Sequence, residues 1–229
     1  MRFDRSLVSD LDEPVQRFLT HAIRDGAALG RGVRLTMTGR IKVGAWLPFR
    51  AEQTVDGRSF GWRARVGWGP VTPLRVVDRY ADGAGVTEGR LLGRLTLFHS
   101  DDLNVTRSGA TRAALESVVF APSSVLPDRG VIWWADGADS IVGRFELPPE
   151  RPEVHARIDE RGALVSVWAL RWGDAGEKTF RYIPCGCQVH AERRFGELTI
   201  PSSLTVGWWF DTPRYAPFFE ARVEDSTQY

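Results

Sequence analysis

The sequence predicts a mainly β (α+β) fold: a large curved antiparallel sheet, or a partly closed β-barrel, wrapped around one or two helices. Three observations carry this. Apolar and polar residues alternate through many short segments. Turn dipeptides such as Asp56-Gly57 and Asp82-Gly83 separate these segments closely, which joins neighbours into an antiparallel meander. Only two stretches keep a three- and four-residue period. So many strands need closure or a cover to hide their edges.

The first element is a helix over about residues 12–25. Val15, Phe18, Leu19, Ala22 and Ile23 form its apolar stripe. Asp12 is a candidate cap, Pro14 suits a first turn, and Gly26 ends the run. From Val33 the period becomes two, with Val33, Leu35 and Met37 on one face, and Gly39 and Gly44 as punctuation. Strands follow at Pro48–Val55, Phe60–Trp68, Leu74–Tyr80 and Arg90–His99, with chain breaks at Gly69-Pro70 and Pro73. A second helix is expected over about residues 101–120, capped by Asp101 or Asp102, with Val105, Ala113, Leu115 and Val118 as a weaker stripe. The second half returns to strands: Gly130–Ala135, Ser140–Glu146, Glu153–Asp159, Leu164–Trp172, Lys178–Cys185, Cys187–Phe195, Ile200–Trp209 and Phe218–Val223. No repeat or low-complexity linker divides the chain, so residues 1–229 read as a single domain.

The charge balance is close to even, with 30 Lys+Arg against 29 Asp+Glu. Lys42 and Lys178 are the only lysines. No long basic run offers a footprint for nucleic acid, and none is expected as a partner. The first dozen residues lack an apolar core, and no stretch is long enough to span a bilayer, so membrane insertion is not expected. Cys185 and Cys187 share one face of a strand and read as free thiols in a reducing compartment; the expected location is cytoplasmic.

The chain has nine Trp and 12 Phe. Each such ring buries roughly 150–250 Å². They form either packed core or the wall of a cavity that two modest helices do not fill. Trp46, Trp62, Trp133, Trp208 and Phe60 are the candidate wall residues, with Arg107 and Tyr182 as polar ligand contacts. Arg112 and Glu116 lie four apart on one helix face. In solvent they are an ordinary ion pair; inside a curved sheet they orient a carboxylate or carbonyl. Asp78, Tyr80 and His99 are the accompanying acid or base candidates. The metal, nucleotide and serine-nucleophile motifs are missing, the four His are scattered, and neither metal nor cofactor is expected.

Six stretches carry a resemblance. They are Gly44-x-Trp46-x-Pro48-Phe49-x-Ala51-x-Gln53, Phe60-x-Trp62-x-Ala64, Asp78-Arg79-Tyr80-x-x-Gly83-x-Gly85, Arg107-Ser108-x-x-x-Arg112-x-x-x-Glu116, Val131-x-Trp133, and Ile200-Pro201-Ser202 leading to Gly207-Trp208-Trp209. In this order they resemble a bacterial domain-of-unknown-function family, akin to the half-barrel of lipoprotein-carrier proteins. The resemblance spans most of the chain and implies a curved sheet around helices with an apolar cavity. It brings no catalytic residues, because no reaction is attached to the family. Some members carry membrane segments ahead of the domain; the sequence shows none here, which weakens an envelope role.

Two functions share the expected cavity. One is a cofactor-independent cyclase or isomerase that folds a bulky apolar substrate by shape. The other is a non-catalytic carrier or sensor of a lipid-like ligand. A protein-interaction module is the third reading and requires a large apolar surface patch instead. Ligand identity and oligomeric state leave no mark in the sequence.

Overall fold

The computed structural model describes residues 1–68 and 73–229, so the expected Gly69-Pro70 break lies outside the described residues. Helix α1 (Glu13–Ala22) comes first, followed by β1 (Val33–Val43), β2 (Ala45–Val55), β3 (Phe60–Val66), β4 (Leu74–Ala81), β5 (Ala84–Leu91) and β6 (Leu95–Ser100). Helix α2 (Leu103–Phe120) follows, then β7 (Ile132–Ala135), β8 (Ser140–Arg144), β9 (Glu153–Ile158) and β10 (Leu164–Gly173). The last three strands are β11 (Arg181–Phe195), β12 (Leu198–Trp208) and β13 (Ala216–Gln228). All pair antiparallel in one sheet, ordered β6-β5-β4-β3-β2-β1-β13-β12-β11-β10-β9-β8-β7. The outer strands β6 and β7 do not meet, so the sheet is a curved open trough and not a closed barrel.

Helix α2 lies along the concave face, touching β2, β4, β5, β9, β10 and β12. Asp102 accepts a hydrogen bond from the Val105 N–H and starts it. Small residues let it seat deeply. A Cβ on Gly85 would lie 2.7 Å from the Thr106 Cα, and one on Gly109 would lie 3.1 Å from the Tyr80 Cβ. Ala110, Ala113 and Ala114 are fully buried. Helix α1 closes one end of the trough: Phe18 packs on Trp133 at 5.9 Å, and Phe18, Ala22, Val118 and Pro122 border one small gap.

Several sequence expectations change. The strand expected at Arg90–His99 is two strands, because Leu92 and Gly93 both take positive φ and reverse the chain. Residues 84–91, rich in glycine, are a strand that propensity conceals. Gly186 does not divide β11; a Cβ there would lie 2.5 Å from the Trp168 Cβ, so the glycine serves close packing. Gly39 likewise lies inside β1, against the Glu220 carbonyl. Asp12 holds the N-cap position of α1, but its side chain makes no capping bond: the carboxylate accepts instead from the Ala135 N–H, 2.7 Å away. The first helix ends at Ala22, before Gly26, because Ile23 turns extended and bridges to Leu198.

Candidate functional site

Cross-strand register assembles the site. On the concave face Gln53 of β2 pairs with Trp62 of β3, which pairs with Asp78 of β4. This row faces one side of α2. Farther along, Cys187, Val206, Phe219 and Ile41 are successive partners across β11, β12, β13 and β1. Because α2 seats against β4, β5 and β10, it stands off this second row. The space left is a cavity of about 220 Å³, lined by both rows and by Leu115, Val119 and Phe120 from the helix. A second recess of about 220 Å³ adjoins it and shares Asp78, Arg112, Arg171 and Trp208.

Those shared residues form a polar collar between the apolar cavity and the more polar recess beside it. Arg112 Nη1 donates to Asp78 Oδ2 at 2.7 Å, and its Nε donates to Glu116 Oε1 at 2.7 Å. Gln53 Nε2 donates to the other Glu116 oxygen at 2.5 Å. The Arg112 guanidinium lies over Phe60 at 4.3 Å and Trp62 at 5.7 Å. Burial works against the Arg112 charge, but Glu116 and Asp78 outweigh it and hold its pKa above the ordinary value. Burial pushes the Glu116 carboxyl up, against the pull of Arg112. Arg171 Nε donates to the carbonyl and hydroxyl of Ser108 and has no carboxylate partner among the described residues. The Trp62 indole N–H is buried and lacks a hydrogen-bond partner among the described residues. The collar therefore presents two donors with unmet capacity, one of them charged.

Of the residues the sequence nominated, Arg112, Glu116, Asp78, Trp62 and Trp208 line the cavity, and Phe60 lines the adjoining recess. The others stand elsewhere. Tyr80 donates its hydroxyl to the Pro148 carbonyl at 2.6 Å and ties β4 to the β8–β9 loop. His99 is exposed on the edge strand β6, beside Glu88 and Asp101. Trp46 falls on the convex face under Arg40, because outward residues of β2 carry even numbers. Trp133 is core at the α1 end, with its N–H on the Val125 carbonyl. Arg107 and Tyr182 form a separate clasp with Glu150: Arg107 Nε meets Glu150 Oε1 at 2.5 Å, and the tyrosine hydroxyl donates to the other oxygen at 2.7 Å. The Arg107 guanidinium lies over the Trp172 ring, 3.6 Å from its centroid.

Sequence reasoning gave no site role to Gln53, Arg171 or the cysteine pair. Gln53 had a visible signal, being the one amide on an inward row of Phe49, Ala51 and Val55. Cys185 and Cys187 are free and buried on the cavity floor, and burial pushes the Cys187 thiol up to about 12.

Two solved structures show the same fold. A LolA superfamily protein from Nitrosomonas europaea is 6% identical, with a TM-score of 0.51, covering 94% of this chain and 92% of that one. A DUF1329 family protein from Desulfovibrio piger is also 6% identical, with a TM-score of 0.50, covering 87% of this chain and 86% of that one. No curated protein matches the chain in sequence. The model of the family of unknown function DUF6920 matches residues 9–227, and the chain therefore belongs to that family.

Proposed function

We propose that this protein binds an amphiphilic small molecule, with its apolar part in the cavity and an oxygen acceptor at the collar. One observation carries the reading: an apolar hollow whose polar end holds a buried indole N–H without a partner and an arginine without a carboxylate. A carboxylate or carbonyl placed there satisfies both, and the surrounding low dielectric strengthens the contact. The hollow of about 220 Å³ is smaller than the roughly 300–1,000 Å³ of drug-sized pockets. A slim chain fits it better than the bulky apolar molecule expected from the sequence. The two free thiols suit a reducing, cytoplasmic setting.

The test is binding of a medium-chain fatty acid, followed by tryptophan fluorescence on protein stripped of lipid. The acid is expected to bind more tightly than the alcohol of equal length. Arg171→Ala is expected to cost the acid about tenfold, the worth of one hydrogen bond to a charged group, while leaving the alcohol nearly unchanged. Equal affinities for acid and alcohol in the wild type would sink the reading.

A second reading, cofactor-independent cyclisation or isomerisation, draws on Glu116. Its carboxyl borders the cavity and is pushed up by burial, the direction that favours holding a proton for transfer. Native mass spectrometry of protein from its own host separates the two. A retained, unaltered amphiphile supports carriage. Conversion of an added intermediate, lost in a folded Glu116→Gln variant, supports chemistry.

A further inference from the structure

The convex face holds a pattern that becomes visible only through register. Arg222 of β13 pairs with Thr38 of β1, and Thr38 with Arg50 of β2. Arg50 then pairs with Arg65 of β3, Arg65 with Arg75 of β4, and Arg75 with Arg90 of β5. Five arginines thus stand in one row across six strands, four of them directly adjacent, and all five are exposed. Strands lie about 4.8 Å apart, so the row is about 24 Å long. Like charges directly opposite each other destabilise a sheet. Only Arg90 has an acidic partner among the described residues, the Glu88 on its own strand. The row is therefore a cost to the isolated fold and calls for anions outside it.

Beside the end of the row, the β5–β6 hairpin is apolar. The β5–β6 hairpin beyond Arg90 carries Leu92 at 69% exposure and Leu95 at 61%, with Leu97 and Phe98 also exposed. Trp68, two residues beyond β3, is 69% exposed. The Arg75 guanidinium lies over the hairpin turn, 3.3 Å from where a Gly93 Cβ would sit, and Arg94 flanks the turn. Leu92 in the turn and Leu95 on the inner face, with Arg90 and Arg75 on the outer face beside them, set apolar and cationic groups together as at the boundary between acyl chains and headgroups. A nucleic-acid strand would need exposed rings within the row for base stacking, and the row itself holds arginines and Thr38 only.

We propose that this corner of the sheet docks on an anionic membrane surface, with the β5–β6 tip among the upper acyl carbons and Arg65, Arg75, Arg90 and Arg94 on lipid phosphates. The inference is independent of what the cavity holds. It is tested with the full chain and two kinds of vesicle, pure phosphatidylcholine and a phosphatidylcholine–phosphatidylglycerol mixture, by cosedimentation. Binding is expected to the anionic vesicles only and to weaken with salt, as the screening length falls from about 10 Å at 0.1 M to about 3 Å at 1 M. Replacing Arg65 and Arg75 by Ser is expected to weaken binding about fivefold per arginine. Leu92→Ser with Leu95→Ser is expected to abolish what survives at high salt. All four positions are exposed, and circular dichroism checks that each variant folds. No binding to anionic vesicles at low salt overturns the proposal. So does binding that both double variants leave unchanged, and so does capture of soluble polyglutamate in preference to vesicles.

Discussion

At the scale of single residues, the collar shows how an ordinary spacing acquires meaning from burial. Arg112 and Glu116 form an i, i+4 pair that on a solvated helix contributes only a few tenths of a kcal/mol. Here both are largely buried, and Asp78 and Gln53 complete the network. The raised Glu116 pKa has a defined sign. Its protonated form is favoured by folding, so the stability it contributes is full below the ordinary carboxylate range and is lost as pH rises through the raised value. Glu116→Gln, which cannot ionise, is expected to flatten that decline. Thermal denaturation across the mildly acidic range checks it, and parallel wild-type and variant profiles would refute it. The helix spacing announced this pair in the sequence, and the strand pattern offered Asp78 as a companion. Arg171 and the orphan Trp62 N–H carried no comparable signal, because their importance lies in which neighbours they lack.

At the scale of elements, turns decided what could be read. Asp56-Gly57 and Asp82-Gly83 announced their turns through residues that accept positive φ, and β2, β3 and β4 beside them were found, whereas β5 was not. Leu92-Gly93 performs the same reversal with a leucine at φ 51°, so the end of β5 and β6 fused into one expected strand. Gly186 and Gly39 misled in the opposite direction, since close packing and turning use the same residue. The arginine row was illegible for a further reason: its members are scattered along the chain and become neighbours only when register is known. Helix α2 was found, and its start tests the capping argument. The Val105 N–H holds the Asp102 carboxyl below its ordinary pKa, so this stabilisation is present above the usual carboxylate range and lost as pH falls through the lowered value. Asp102→Ala is expected to cost about 1 kcal/mol at neutral pH. Denaturant unfolding measures it, with an unchanged midpoint as the contrary result.

At the scale of the whole molecule, the hollow exists because a deeply seated helix touches the two flanks of the trough more closely than its floor. Filling it tests this. Val206→Trp on the floor is expected to remove fatty-acid binding while the protein remains folded, because the added ring occupies space that is already empty. Undiminished binding in that variant would place the ligand elsewhere. One property of the sheet order reaches beyond binding. Among the described residues twelve ladders join the strands, and all but the one between β1 and β13 link consecutive strands. The chain is thus two meanders built from local contacts, which form quickly, joined along one distant seam whose closure costs the most chain entropy. Ile41 and Phe219 face each other across that seam and belong to the cavity floor. A guest in the hollow therefore bridges both halves, and amide exchange along β1 and β13 should slow on loading more than exchange anywhere else in the sheet.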